Sequence, residues 1–137
     1  MPIVVLFFVL FLPAAASATT LPATITENTT LMPAGNPYTG TSTIESGVTL
    51  KVEPGVKFSS LSLKVKGTLN AEGTASEPIV VSESSGNYTP ITFEPGSGAS
   101  VLNHVEMTKV GSEFYVKAPI QINKSSPTIE NSTFTNV

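Results

Sequence analysis

The sequence predicts an all-β chain wound as a right-handed parallel β-helix (a solenoid) of about five coils, at roughly twenty residues per coil. Three observations carry that expectation. Short apolar/polar alternations recur and are cut by Gly or Pro-Gly, as at residues 48–52, 61–65 and 91–93, the pattern of half-buried strands joined by tight turns. The phrase Glu-Pro-Gly occurs at Glu53-Pro54-Gly55 and again at Glu94-Pro95-Gly96. Beyond the first residues, no window of helical length keeps apolar residues at i, i+3, i+4 and i+7, because Pro or Gly interrupts it; an interior Pro costs a helix about 3 kcal/mol.

Taken in order, residues 1–18 read as a signal peptide. Residues 3–12 are almost wholly Val, Leu, Phe and Ile, and Ala16-Ser17-Ala18 fits a small-x-small cleavage site. A run this short does not span a ~30 Å hydrocarbon layer, which takes roughly 20 apolar residues. It departs from the usual leader in having no Lys or Arg ahead of the apolar run. Residues 19–43 read as a polar, Thr-rich lead with an opening strand or cap, and Met32-Pro33-Ala34-Gly35-Asn36-Pro37 as a turn cluster.

From residue 44 to 137 apolar residues fall at two-residue spacing: Val48/Leu50/Val52, Val56/Phe58, Leu61/Leu63/Val65, Leu69/Ala71, Ile79/Val81, Ile91/Phe93, Val105/Met107 and Ile120/Ile122. These side chains face inward, while Thr49, Lys51, Lys64, Lys66, Thr92 and Glu106 face out. Phe58, Phe93 and Phe134 fall at inward parity and are expected in the core; Tyr38, Tyr88 and Tyr115 fall in or near loops. In each Glu-Pro-Gly, Pro fixes φ at i+1 and Gly supplies φ > 0 at i+2, as a type II turn requires. A sandwich would show longer strands and Asn-Gly or Asp-Gly hairpin turns, and neither dipeptide occurs. Bends in place of reversals point to coils stacked one on another.

Composition limits the chemistry. The chain has 137 residues, is 12% charged and carries a net charge of −3, against an ordinary charged fraction of about 25%. Its seven basic residues are all Lys and its ten acidic residues all Glu; Cys and Trp are absent. Disulfides and thiolate metal sites are thereby excluded, and there is no electrostatic footprint for nucleic acid. An exported chain without Cys suits a bacterial or archaeal envelope, secreted or at the cell surface.

The blocks Gly47-Val48-Thr49-Leu50-Lys51-Val52-Glu53-Pro54-Gly55, Leu63-Lys64-Val65-Lys66-Gly67-Thr68-Leu69-Asn70-Ala71 and Glu77-Pro78-Ile79-Val80-Val81 resemble the N-terminal coils of secreted right-handed parallel β-helix proteins of the pectin-lyase-like group. Residues 126–136 resemble a later coil, in which a corner Asn stacks on its neighbours as a ladder. The resemblance implies the fold far more than an activity. Lyases of that group use clustered Asp and Glu for calcium and often an Arg base, and the related polygalacturonases use several Asp. Neither Asp nor Arg occurs, so no catalytic or metal position carries over and no cofactor is expected.

Candidate sites are sparse. A two-Glu glycosidase needs carboxyls about 5–9.5 Å apart, for which Glu72, Glu77 or Glu83 near Glu94 are the available residues; solvent-facing Glu explain the same letters. His104, beside Glu106, reads as an exposed strand residue. Four Asn-x-Ser/Thr sequons, at Asn28, Asn87, Asn123 and Asn131, are candidate N-glycosylation acceptors, although corner roles explain them as well. Tyr88 and Tyr115 are candidate sugar-stacking residues.

The expected function is a non-catalytic extracellular or cell-surface module, structural or adhesive, contacting polysaccharide or another envelope component. The alternative is the N-terminal fragment of a carbohydrate-active enzyme with catalytic coils beyond residue 137. Apolar strand residues run to the last positions without a cap, so the expectation is a fragment or an end covered by a partner.

Overall fold

A computed structural model of the chain describes residues 17–84, 90–110 and 118–135. It is a parallel β-solenoid of about four turns. The first turn comprises β1 (Thr19–Thr20), β2 (Thr24–Ile25) and β3 (Thr29–Leu31), followed by a 3-10 turn at Pro33–Gly35. Then come β4 (Tyr38–Ile44), β5 (Thr49–Val52), β6 (Lys57–Val65), β7 (Thr68–Glu72), β8 (Ile79–Ser84), β9 (Ile91–Phe93) and β10 (Val101–Asn103). The last are β11 (Val105–Val110), β12 (Ile120–Ile122), β13 (Thr128–Glu130) and β14 (Thr133–Thr135).

All pairing among these strands is parallel, in a 9-stranded and a 5-stranded sheet. β3, β5, β7, β10 and β13 form the smaller sheet. The larger one bends into two faces. β4 lies over β1 at one end and β2 at the other, and β6 lies under β8 and then β9. The bends fall where the backbone turns left-handed, at Gly40 in β4 and Ser60 in β6.

Against about five coils expected, the described residues form about four turns. Five strands stack on the smaller sheet, and five levels enclose four turns. Later turns are also longer: Thr49 pairs with Thr68, but Asn70 pairs with Val101.

Inward residues form columns, one side chain per turn. One runs Tyr38, Phe58, Val81, Met107, Phe134. Another runs Ile25, Ile44, Val65, Phe93, Ile122, and a third Leu31, Val52, Ala71, Leu102, Ile129. Phe93, Ile44, Leu102 and Met107 are fully buried. Two expectations about aromatics fail here. Tyr38 is core: its ring packs on Phe58 with centroids 6.0 Å apart, and its hydroxyl donates to the Met32 carbonyl at 2.8 Å. Phe134 points inward over Met107 but is 37% exposed, because it sits on the terminal level with no described residue stacked above it. Ile122 and Ile129, on the same end, are exposed for the same reason.

The corners follow the turn chemistry. The Val56 amide donates to the Glu53 carbonyl and the Ser97 amide to the Glu94 carbonyl, with Gly55 and Gly96 at φ 81° and 97°. Glu45-Ser46-Gly47-Val48 closes in the same way without a Pro. Gly67 answers a different demand. A Cβ there would collide with the carbonyl oxygens of Glu45 and Val48 on the neighbouring corner.

Gly67→Ala is therefore expected to destabilise the fold by about 1–3 kcal/mol. Gly98→Ala, where an added Cβ meets nothing nearer than 3.8 Å, should stay within about 0.5 kcal/mol of the parent. Urea midpoints for the two variants at unchanged m-value check this, and equal midpoints would refute the packing account of Gly67. Phe93→Ala, at the centre of its column, is expected to lose about 3–5 kcal/mol in the same assay.

Candidate functional site

Outward columns are set by the same register. On the face built by β6, β8, β11 and β14, Ser59, Ser82, Thr108 and Thr135 stack in order, and Thr20 stacks on Thr39 along the first two turns of that face. On the adjoining face the column is Thr24, Thr43, Lys64, Thr92, Gln121. Successive levels stand about 4.8 Å apart, so the first column presents hydroxyls at a fixed short spacing, with Ser82 Oγ also donating to the Phe58 carbonyl at 3.4 Å, while Lys64 and Gln121 interrupt the second. Each hydroxyl both donates and accepts, which suits a ligand that is itself rich in hydroxyls. Each bond, exchanged against water, nets only about 0.5–1.5 kcal/mol, so useful affinity needs several turns engaged at once.

The candidate carboxylates lie on different elements of the described residues. Glu72 lies on the smaller sheet beside Asn103. Glu94 follows β9 on the larger sheet, where its carboxylate accepts from Asn123 Nδ2 at 3.3 Å. The Glu77 carbonyl accepts from the amides of Gly55 and Thr74. Glu83 lies in β8, and its side chain falls outside the described residues. No group of three or more His, Cys, Asp or Glu is placed to hold a metal ion among the described residues. No helix of the described residues is long and apolar enough to cross a membrane.

His104 is not a strand residue, as its parity suggested. It forms the corner between β10 and β11 at φ 49°, and its carbonyl accepts from the Ile79 amide one turn away at 3.0 Å. Asn131, on the next corner, has φ 48° and donates through Nδ2 to Asn103 Oδ1 at 3.0 Å. By the register Asn131 stands over His104, so this is a diagonal contact between successive turns and not a ladder of equivalent Asn. Of the other candidates, Asn87, Tyr88 and Tyr115 lie outside the described residues.

Sequence reasoning missed a set of polar side chains that replace ladder hydrogen bonds at corners. Asn28 Oδ1 accepts from the Thr49 amide at 2.9 Å, and Asn36 Oδ1 from the Lys57 amide at 2.8 Å. Ser100 Oγ accepts from the Leu69 amide at 3.0 Å and Ser132 Oγ from the Val105 amide at 3.2 Å. In each case a side chain on one turn accepts from a backbone amide at or near a strand start one turn away. The signal was a small polar residue at a corner, which is also what any loop contains. Asn36 does double duty, its Nδ2 donating to the Gly55 carbonyl at 2.9 Å.

Comparison with protein-family models, curated proteins and solved structures finds no match.

Asn36→Ala should remove both contacts and lower stability by about 0.5–1.5 kcal/mol, since water can replace the acceptor at the exposed Lys57 amide. Amide hydrogen exchange at Lys57 should quicken while the Phe93 amide, on another face, stays protected. Unchanged exchange at Lys57 would show that Asn36 is not what holds that corner.

Proposed function

We propose that the protein is a non-catalytic extracellular or cell-surface β-solenoid module of the pectin-lyase-like kind. It acts structurally or adhesively, by laying a hydroxylated polysaccharide along its outward Ser/Thr columns. One observation carries this reading: Ser59, Ser82, Thr108 and Thr135 recur turn after turn on one face. A neutral ligand is favoured, because with 12% charged residues the surface has little to offer a polyanion or a polycation. Export rests on the apolar run of residues 3–12 and on Ala16-Ser17-Ala18; of these only Ser17 and Ala18 fall among the described residues.

Affinity electrophoresis through gels containing neutral polysaccharides tests the binding. Retardation is expected, and the double variant Ser82→Val, Thr108→Val should weaken it on the order of tenfold, the equivalent of one or two lost hydrogen bonds. Lack of retardation in every gel, or equal retardation of parent and variant, would refute the assignment to this face. Export has its own check. N-terminal sequencing of protein collected from the medium should begin at Thr19, whereas a chain that stays in the cell with Met1 intact would refute it.

A further inference from the structure

The four sequons are equal as motifs, but their surroundings differ. Glycosylation needs the Asn Nδ2 free to take a substituent and the hydroxyl two residues on free to be engaged. At Asn123 both are tied. Its Nδ2 donates to Glu94 Oε1, and Ser125 Oγ is 2.8 Å from the Oγ of buried Ser97. At Asn131 the Nδ2 donates to Asn103 Oδ1, on a corner with positive φ. A sugar on that nitrogen would require the amide to turn away from Asn103.

Asn28 is arranged the other way round. It is exposed, just before β3, and the group it commits to the fold is the oxygen, which accepts from the Thr49 amide. Its Nδ2 makes no hydrogen bond to another described residue, and neither does the hydroxyl of Thr30, which is also exposed. An N-linked sugar leaves Oδ1 an acceptor, so the Thr49 contact and the modification are compatible.

We propose that Asn28 is the N-glycan acceptor among the described sequons, and that the fold disfavours Asn123 and Asn131. In the transfer, Nδ2 bonds to the anomeric carbon of an oligosaccharide carried on a polyprenyl pyrophosphate. The bond from that carbon to the pyrophosphate oxygen breaks, the lipid pyrophosphate departs with the electron pair, and one Nδ2 proton goes to a base. No redox partner is involved. The site rests on the export reading above, because the donor lies on the far side of the exporting membrane.

The full chain should be expressed in a eukaryotic secretory host with its own N-terminus and, in parallel, with a host leader fused ahead of Met1. Peptide masses before and after endoglycosidase treatment then locate the glycan. The expected result is an enzyme-removable increment on the peptide holding Asn28, with the Asn123 and Asn131 peptides unmodified. Thr30→Ala should lose the whole Asn28 increment while keeping the Asn28 contact to Thr49, so that loss is not a folding failure. Secreted protein with Asn28 bare, or with Asn123 or Asn131 modified to the same extent, would overturn the proposal. Glycan on Asn28 from the leader-fused chain alone would support the site and count only against export by the native N-terminus.

Discussion

Parallel in-register stacking is the constraint on which the rest of this molecule depends. A parallel strand cannot reach its partner by a tight reversal, so the amides of the strand ladders wait for the chain to complete a turn before they are satisfied. Corners are where the ladder lapses, and an amide left unpaired costs about 1–3 kcal/mol where it is buried, as at Leu69, and less where water reaches it, as at Thr49 and Lys57. Asn28, Asn36, Ser100 and Ser132 each lend a side-chain oxygen to an amide one turn away. Those corners then set the lateral position of each strand, and lateral position decides which side chains share a column. Stability and surface pattern therefore have the same origin.

The interior follows from the same stacking. Phe58 lies on Val81 and Val81 on Met107, so each inward side chain is stacked on its counterparts one turn above and below. Burial is complete wherever both neighbours exist, as for Phe93 between Val65 and Ile122. At the β14 level Phe134 has a described neighbour on one side only and is exposed although its direction matches that of Met107, whereas at the opposite end of the stack Ile25 and Leu31, also with one strand neighbour each, are buried.

That difference marks what could be read from the letters. Two-residue alternation reports direction, and it placed Leu50, Leu63, Phe93 and Met107 in the core correctly. It does not report coverage, so it could not separate Phe134 from Phe93. The Glu-Pro-Gly corners were legible because Pro and Gly have so few conformations available. Tyr38 was not, since Asn-Pro before it and Gly after it spell a loop while its ring fills the column under Phe58. The surface columns were least legible. They depend on which residues stand one turn apart, and that interval changes between the Thr49–Thr68 turn and the Asn70–Val101 turn. A periodicity that drifts leaves no repeat to detect.

Stacking also accounts for the low charge. Side chains one level apart are held near 4.8 Å, where two like charges repel by about 1 kcal/mol in water and several times that at a partly buried surface. A solenoid with an ordinary charged fraction would place like charges over one another on every face. Here each charged residue in a described register pair faces a neutral one. Lys51 lies between Thr30 and Asn70, Lys64 between Thr43 and Thr92, and Glu106 between Val80 and Thr133. Asn103 separates Glu72 from Glu130. Neutral polar residues are what remains to keep such a surface wet, and Ser and Thr meet the strand's steric preference better than Asn or Gln. The hydroxyl columns thus arise first as a solution to repulsion between levels. The ligand track proposed for them would require only that a ligand share their spacing.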